Sequence, residues 1–356
     1  MPGRIIRDFP PVEGNPRNSE GSFINLSDGT IMFAYSKFRG DKGSDDADAD
    51  IVAVYSHDKG ESFGGERVLF TKDELKAKNI MSVSLVRLND GNIAVFYMVR
   101  MGFHDLRAVM RISEDEGETF SEAKYCMNYP GYFVVNNVRV RQLTNGRIFI
   151  PSAYHRCLGP DPLAWTSFNG KGVARFFYSD DMGGTFNEAP DFGSLNVSAG
   201  TGLQEPGIIE LEEGHLFCYC RTDLGCQYTS HSYDYGMNWE PFSPSDFTGP
   251  TSPLSIKKVP HEDAYVAVYN PTPAPKDRPS YTWGRTPLVL RTSTDGCKTF
   301  GEQMVIEDDP DSGYCYIAMH FTEDALLLAY CAGGPDDKSC LNRLRIRKIS
   351  LIDINP

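Results

Sequence analysis

The chain has 356 residues, of which 40% are hydrophobic, and it carries a formal net charge of −13. This composition is typical of a globular protein with enough apolar side chains for a sizeable core. No apolar run approaches the roughly 18 residues of a membrane-spanning helix, so we expect no membrane span. The acidic charge argues against a nucleic-acid partner, because phosphate binding draws on an excess of lysine and arginine.

The cysteines, histidines and N-terminal residues narrow the class of protein further. Nine cysteines, an odd number, are scattered along the chain, which predicts free thiols in a reducing compartment. The seven histidines lack metal-ligand spacing, so we expect neither a metal nor a cofactor. The opening segment "MPGRIIRDFPPVEGNPRNSEG" lacks the apolar stretch of a secretory signal. We therefore expect a cytoplasmic protein, unless a signal has been removed.

Turn signals followed by short apolar runs recur along the chain. "LSDG" precedes "TIMFAYS", "LNDG" precedes "NIAVFYM", "LTNG" precedes "RIFIPSA" and "LEEG" precedes "HLFCYCR". Weaker signals precede "AYVAVYN" and "ALLLAYC". Asp-Gly or Asn-Gly between apolar runs predicts a β-hairpin. Helical periodicity is scarce, and only "TKDELKAKN" reads as a short helix.

One octet of the form S-x-D-x-G-x-x-F follows these hairpins five times. Its copies are "YSHDKGESF", "ISEDEGETF", "YSDDMGGTF", "HSYDYGMNW" and "TSTDGCKTF", with serines at positions 56, 113, 179, 232 and 293. Ser and Asp two residues apart can close a turn through side-chain hydrogen bonds, and Gly tolerates the turn backbone. We expect a structural role for the octets. Cys297 replaces the Gly of the fifth copy, which predicts a distorted turn there.

The repeats predict the fold. Each unit reads as strand, turn, strand, loop, a third strand ending in the octet, and a fourth strand. Six units of about 55–65 residues predict four-stranded sheets repeated around an axis. We expect an all-β, six-bladed β-propeller in which residues 1–356 form a single domain. The terminal run "NRLRIRKISLID" is expected to complete a blade together with the N-terminus.

The octets resemble the Asp boxes, or BNR repeats, of the sialidase (neuraminidase) superfamily. The resemblance implies an exo-acting, retaining glycoside hydrolase that releases sialic acid or a related acidic sugar, with a glycan as its partner. In sialidases the nucleophile is a tyrosine, which needs a glutamate to accept its proton. An aspartate serves as acid and base, and three arginines bind the carboxylate of the sugar.

The resemblance assigns roles to residues in the second half of the chain. The segment "LQEPGIIELEEGHLFCYCRTD" implies Glu205 as the base and Arg221 as the second arginine, with Gln204 as a substrate-binding neighbour. In "GRTPLVLRTSTDG", Arg285 is the expected third arginine. The strand "SGYCYIAMHF" suggests Tyr314 as the nucleophile. Tyr316, two residues later and expected on the same strand face, is the alternative.

The first unit supplies the remaining candidates. The acidic loop "SKFRGDKGSDDADAD" offers Asp45 or Asp46 as the acid and base, and Arg39 as a pocket residue. Where sialidases have their first arginine this chain has Glu20, and Arg17 lies three residues earlier. Either Arg17 reaches the sugar carboxylate, or Glu20 binds a sugar hydroxyl instead. The glutamate that braces the first arginine in sialidases is missing near Ala329. This departure leaves the identity of the sugar open.

A further polar segment, "GYFVVNNVRVRQLTNGRIFIPSAYH", offers Asn136, Asn137, Arg139 and His155 for binding sugar hydroxyls. Hydrogen bonding within the loop explains these residues equally well. Two other classes of function stay open: a non-catalytic propeller that binds glycans or a protein, and a lyase or metal-dependent hydrolase. The enzyme hypothesis requires Glu205, Arg221, Arg285, Asp45 and the tyrosine to meet at one end of the channel. The sequence does not indicate an oligomeric state.

Overall fold

The computed structural model describes residues 1–273 and 278–354, and nearly all of its regular structure is strand. In chain order the strands are β1 Arg4–Phe9, β2 Asn18–Asn25, β3 Ile31–Phe38, β4 Ala49–Ser56, β5 Gly64–Phe70, β6 Asn79–Arg87, β7 Ile93–Gly102, β8 Asp105–Ser113, β9 Lys124–Tyr125, β10 Tyr132–Val134, β11 Arg141–Gln142, β12 Ile148–His155, β13 Val173–Ser179, β14 Asn187–Glu188, β15 Gln204–Glu212, β16 His215–Arg221, β17 Cys226–Ser232, β18 Ser243–Thr248, β19 Ser255–Lys258, β20 Tyr265–Tyr269, β21 Leu288–Ser293, β22 Met304–Glu307, β23 Gly313–Phe321, β24 Ala325–Gly333 and β25 Leu344–Ser350.

Helical structure is limited to short turns. The 3-10 turns are Lys72–Leu75, Trp165–Ser167, Ser280–Thr282 and Pro335–Asp337, and one α-helical turn, α1, spans Leu351–Ile354. The helix expected in "TKDELKAKN" is only the first of these 3-10 turns. Across residues 1–273 and 278–354, no helix combines the length and apolar character needed to cross a bilayer.

The strands form four sheets of four strands and one sheet of nine. Three four-stranded sheets follow the chain: β2–β5, β15–β18 and β19–β22. In the fourth, β1 pairs with β25, so the N-terminal strand completes the sheet of β23, β24 and β25, as expected. The nine-stranded sheet contains β6–β9 and β11–β14, joined by β10. These repeated antiparallel sheets form an all-β fold of the β-propeller type, and dividing the large sheet at β10 yields six units in the described chain.

The innermost strands of the sheets surround a central channel. Strand β2 lies against β6 and β23, and β19 lies against β15 and β23. Hydrophobic clusters fill the space between neighbouring sheets. One of them packs Met32 and Ile51 against Ile80 and Val95, and another packs Phe217 against Tyr265. The channel walls carry polar residues such as Ser22, Arg139 and Lys257 among apolar ones.

The five octets form turns with the same hydrogen bonds. In the third copy, Ser179 Oγ donates to Asp181 Oδ1 at 2.8 Å and accepts from the Gly183 amide at 2.8 Å. The Thr185 amide donates to Asp181 Oδ1 at 2.7 Å. Corresponding bonds occur in the other four copies. The aspartates therefore hold turns together far from the channel.

The fifth turn is not distorted, contrary to the expectation from its sequence. Cys297 adopts φ 62°, close to the φ 88° of Gly183 in the third copy. Its amide donates to Ser293 Oγ at 3.1 Å. Because the neighbouring hydrogen bonds determine the backbone, a residue with a side chain accepts the left-handed conformation that glycine adopts more easily.

Candidate active site

A polar cavity of about 210 Å³ opens at one end of the channel. It is lined by residues from the innermost strands and from the ends of the second strands: Glu20, Asp45, Met81, Ser82, Met98, Arg100, Leu106, Tyr132, Val134, Asn136, His155, Trp165, Phe168, Gln204, Glu205, Arg221, Trp283 and Tyr316. We call this cavity the pocket. In the described part of the chain, no three His, Cys, Asp or Glu side chains are arranged to hold a metal ion.

Five residues of the pocket have a left-handed backbone, although none is glycine: Trp283 in a loop, and four residues of the innermost strands. The φ angles are 58° at Glu20, 60° at Ser82, 49° at Glu205 and 58° at Tyr316. Each lies where its innermost strand, β2, β6, β15 or β23, breaks register with the next strand. A bulge of this kind re-aims a side chain, and non-glycine residues adopt it at a cost in free energy. The bulges therefore direct these four side chains into the pocket.

Tyr316, Glu205 and Arg221 form a connected group within the pocket. The Tyr316 hydroxyl donates to Glu205 Oε1 at 3.3 Å. Arg221 Nη1 lies 3.1 Å from Glu205 Oε2 and 3.3 Å from the Tyr316 oxygen. Asn136 Nδ2 also donates to Glu205 Oε2, at 3.2 Å. The carboxylate of Glu205 is thus placed to accept the phenolic proton.

Burial keeps the Tyr316 phenol protonated in the free protein. Burial raises the pKa of Tyr316 well above its usual range, and the charge of Glu205 raises it further. The charges of Arg221 and Arg285 act to lower this pKa but do not outweigh the burial. The Arg285 guanidinium lies 5.4 Å from the centre of the Tyr316 ring and 4.5 Å from that of Trp283. A phenol in this state becomes a nucleophile only when a base takes its proton as it attacks.

The structure does not bring Tyr314 to the pocket, which corrects the first choice of nucleophile. Tyr314 packs in the hydrophobic cluster between β20–β22 and β23–β25, with its ring 6.2 Å from that of Tyr330. In a regular strand Tyr314 and Tyr316 would share a face. The left-handed backbone at Tyr316 breaks this alternation, so only Tyr316 turns towards Glu205.

Arg17, Glu20 and Asp45 form a second charged group. Arg17 Nη2 donates to Glu20 Oε1 at 2.9 Å, and Nη1 donates to Asp45 Oδ1 at 2.6 Å and to the Gly43 carbonyl at 3.1 Å. Its Nε donates to Ser19 Oγ at 2.9 Å. Arg17 is 1% exposed. The guanidinium of Arg17 therefore donates its hydrogen bonds to groups of the protein and not into the pocket.

The two carboxyls beside Arg17 differ in protonation. Burial raises the pKa of Glu20 to about 7, although Arg17 acts to lower it. Its second oxygen accepts a hydrogen bond from the Ser82 hydroxyl. For Asp45, burial favours the neutral acid, but Arg17, followed by Arg100 and Arg221, outweighs it and lowers the pKa. Asp45 lies at the rim, where 48% of its side chain is exposed.

The opposite wall of the pocket holds neutral and cationic donors. Arg221 Nε donates to Gln204 Oε1 at 3.1 Å, and Arg100 Nη1 donates to the Tyr132 hydroxyl at 2.6 Å. His155 Nδ1 lies 2.9 Å from the Asn169 carbonyl, so it carries the proton and leaves Nε2 as an acceptor. Burial lowers the pKa of His155 to about 4. His155 is therefore neutral near pH 7.

Several predicted residues lie outside the pocket. Asn137 donates from Nδ2 to the carbonyls of Gly21 and Tyr316, and so braces the bulges from below. Arg139 turns away and donates to the Tyr219 hydroxyl and the Leu254 carbonyl. Arg39 pairs with Asp50 on the outer side of β3 and β4. Asn137 and Arg139 are held by hydrogen bonds to the channel wall, and Arg39 is paired with Asp50. None of the three is placed to bind a ligand in the pocket.

Beside the pocket lies a wider outer cavity of about 1100 Å³. Asp46 lines this cavity and not the pocket, whereas Asp45 lines both. Trp165 and Trp283, which are 67% and 49% exposed, form the boundary between the two spaces. The two tryptophans offer apolar faces next to the polar pocket.

Sequence reasoning missed Arg100, Ser82 and the two tryptophans. A signal existed for Arg100: it follows the run "NIAVFYMV" near the end of the second strand of its unit, as Arg221 ends "HLFCYCR". Ser82 lies in a strand whose sequence shows no bulge. The tryptophans lie on 3-10 turns in long loops, or directly after them, where the sequence carries no repeat to align.

Comparison with known proteins identifies the family. The model of the BNR repeat-like domain matches residues 17–328. The chain belongs to this family. This match covers all five octets and the strands that form the pocket up to β24.

Solved structures share the fold of this BNR-repeat protein. The Hadza microbial sialidase Hz136 has a TM-score of 0.71 at 16% identity, over 96% of this chain and 67% of that one. A protein of unknown function from Dyadobacter fermentans has a TM-score of 0.73 at 16% identity, over 98% and 100%. The NanB sialidase from Streptococcus pneumoniae has a TM-score of 0.71 at 12% identity, over 100% and 71%. No curated protein sequence matches the chain. At these identities the likeness shows a sialidase-type propeller and not an activity.

Proposed function

We propose that this BNR-repeat protein is an exo-acting, retaining glycoside hydrolase with Tyr316 as its nucleophile and Glu205 as the base. The observation that carries the proposal is the 3.3 Å hydrogen bond from the Tyr316 hydroxyl to Glu205 Oε1 inside an open pocket. The pocket already holds three carboxyl groups, on Glu20, Asp45 and Glu205. A phenol attacks an electron-poor anomeric carbon there without adding a fourth like charge.

In the first half-reaction, Tyr316 Oη bonds to the anomeric carbon as the bond from that carbon to the leaving oxygen breaks. Glu205 accepts the phenolic proton, and Asp45 donates a proton to the leaving oxygen. In the second half-reaction, Asp45 takes a proton from water, whose oxygen bonds to the anomeric carbon, and Tyr316 leaves with the proton returned by Glu205. We assign the acid role to Asp45 because it lies at the rim, on the exit path of the leaving group.

The surroundings of Asp45 predict the pH dependence of the reaction. Arg17 lowers the pKa of Asp45, so this carboxyl is ionised in the free protein near pH 7. The acid form needed for the first step becomes more populated as the pH falls towards that pKa. We therefore expect turnover that is faster at acidic than at neutral pH.

A second candidate function is the same reaction on a sugar other than sialic acid. The contacts of Arg17 favour this candidate. Recognition of sialic acid by three arginines needs a free Arg17, but its guanidinium already bonds Ser19, Gly43, Glu20 and Asp45. A carboxylate on the anomeric carbon would also lie near the carboxyl of Glu20. These contacts favour a sugar without that carboxylate, with Glu20 accepting a hydrogen bond from a hydroxyl.

The test is turnover of a panel of aryl glycosides, including the sialyl glycoside and neutral hexosides, at pH 5 and pH 7. A 2-fluoro analogue of the best substrate should add its sugar mass to a peptide that contains Tyr316. Turnover with the label on another residue would contradict the role of Tyr316. Binding of glycans without turnover of any glycoside would instead support the non-catalytic propeller.

A further inference from the structure

A second, smaller chamber of about 40 Å³ lies in the channel beyond the pocket. Asn137, whose amide bonds the carbonyls of Gly21 and Tyr316, separates the two spaces. The residues that follow on the inner strands, Ser22 and Ile317, line the chamber. The chamber is therefore separate from the pocket and is lined by the next residues of the same strands.

Three cationic side chains line this chamber: Arg139, Arg141 and Lys257. Arg139 is 3% exposed and its Nε has no hydrogen-bond partner. Lys257 Nζ donates to the Met319 carbonyl at 2.8 Å. Over residues 1–273 and 278–354, the structure gives no ion pair to any of the three, and no hydrogen bond to the guanidinium of Arg141. Three basic side chains thus line one small space without a carboxylate.

The cations act on one another electrostatically. Burial lowers the pKa of Lys257 to about 7, and the charge of Arg141 lowers it further. Burial and the charge of Arg139 likewise lower the pKa of Arg141. Such a cluster costs free energy unless an opposite charge is present. Its occurrence in a chain with a net charge of −13 points to an anion as the missing partner.

The backbone around the chamber is shaped to hold Arg139 in place. Gly207 lies against this side chain, and a Cβ there would come within 2.5 Å of Arg139 Nη1. Arg139 Nη1 donates to the Tyr219 hydroxyl at 3.2 Å, and Nη2 donates to the Leu254 carbonyl at 3.0 Å. These contacts fix the position of the guanidinium beside the chamber.

A neighbouring cavity of about 220 Å³ shares Arg141 and Lys257 with the chamber, so these two side chains border both spaces. Glu210 also lines this cavity, but its carboxylate accepts hydrogen bonds from Thr144 and from the Gly214 amide. Glu210 is therefore held by neutral donors of the neighbouring turns, and in the described residues it forms no ion pair with Arg141 or Lys257.

We propose that the chamber binds a small inorganic oxyanion of the phosphate type. Guanidinium groups present paired N–H donors that match tetrahedral oxyanions. A water molecule needs roughly 10–15 Å³ of such a cavity, so the chamber holds only a small ion. A bound oxyanion would link the strands β11, β19 and β23 from within the channel, independently of any reaction in the pocket.

Isothermal titration calorimetry of the full chain with inorganic phosphate at pH 6.5 tests the proposal, with sodium chloride at equal ionic strength as the reference. We expect one phosphate per chain, and binding weakened about tenfold or more in Lys257→Met, since a charged hydrogen bond is lost. Lys298→Met, which removes an exposed lysine on the fifth turn, should bind as the wild type does.

Three outcomes would overturn the proposal: no phosphate binding, unchanged binding in Lys257→Met, or displacement of phosphate by equal chloride. Arg141→Gln serves as a second variant should Lys257→Met fail to fold, and it should also weaken phosphate binding. Thermal unfolding without phosphate provides an independent readout. Because Lys257→Met removes an unpaired buried charge, it should unfold at a higher temperature than the wild type.

Discussion

Left-handed backbone occurs in two regions of this molecule with opposite character. Each of the five octet turns has two consecutive left-handed residues, and the second of them is glycine in four copies and Cys297 in the fifth, always with the same hydrogen bonds. In the four channel bulges the left-handed residues are Glu20, Ser82, Glu205 and Tyr316, each with different partners. Both the turns and the bulges recur around the same axis, but only the turns make the same hydrogen bonds in every copy.

This difference separates structure from candidate function. A feature that every unit repeats supports the fold and cannot mark one site. A strained backbone that carries a different polar side chain in each unit is the arrangement expected at a site, where strain is tolerated for positioning. The comparison predicts that substitutions in the bulges affect activity and that substitutions in the turns affect stability.

The largest effect is expected from removal of one hydroxyl in the β23 bulge. Tyr316→Phe should lower kcat by roughly 10³-fold or more, because the nucleophilic oxygen is lost. Tyr314→Phe is the matched control, two residues away in the hydrophobic cluster, and should retain kcat. Steady-state assays and circular dichroism of both variants check this. A large loss in Tyr314→Phe with little loss in Tyr316→Phe would reverse the assignment.

Removal of the base should have the next largest effect. Glu205→Gln keeps the size of the side chain but cannot accept the phenolic proton, so kcat should fall about 10²–10⁴-fold. Steady-state assays of the variant measure the loss. An unchanged kcat would show that another group accepts the proton.

A smaller effect, on stability, is expected from the β2 bulge. The pKa of Glu20 is raised to about 7 from 4.5, so the folded protein favours its neutral form. The stability this provides is complete below about pH 4.5 and is lost as the pH rises through 7. Relative to wild type, Glu20→Gln should therefore unfold at higher urea concentration at pH 8 than at pH 5. A constant difference between the two proteins would contradict the raised pKa.

The octet turns should respond to acid in the opposite direction. Hydrogen bonds from the Thr185 amide and then from the hydroxyls of Ser179 and Thr185 lower the pKa of Asp181 to about 2. The stability from this carboxylate is present above about pH 3.8 and is lost as the pH falls through 2. Asp181→Asn should lower the Tm at pH 7, retain kcat, and approach the wild-type Tm near pH 2. Asp308→Asn, at an exposed carboxylate outside the turns, should have no such effect.

The smallest effect concerns the fifth turn. Cys297 holds φ 62°, which costs a residue with a Cβ more than it costs glycine. Cys297→Gly should therefore raise the free energy of unfolding by up to about 1 kcal/mol, because the relief of strain exceeds the added chain entropy. Urea denaturation measures the change. A loss of stability would show that the Cys297 side chain contributes more through packing than its backbone costs.

The sequence was sufficient to predict the repeats because each octet carries its own hydrogen-bonding partners within five residues. The same locality explains why the propeller architecture was predictable. The pairing of the chain ends was predictable for another reason: a strand was left over at each end, and a closed ring of sheets brings the two together. Glu205 and Arg221 lie close together in the structure because they flank one hairpin.

The bulges could not be predicted, and the choice between Tyr314 and Tyr316 depended on one of them. Alternation along a regular strand places both tyrosines on one face, and nothing in "SGYCYIAMHF" indicates the extra residue that separates them. The bulge depends on contacts from other units, such as the Asn137 amide on the Tyr316 carbonyl. Arg17 was ambiguous for the same reason, since its partners include Asp45 on a distant loop.

The pairing of β1 with β25 has a consequence for synthesis of the protein on the ribosome. Residues 4–9 are translated before the other strands of the ring, and their partner strand, residues 344–350, is translated after them. Strand β1 therefore stays unpaired while the sheets between them are translated. A chain that lacks β25 leaves β1 without its partner and exposes an unpaired strand edge at each end of the open arc.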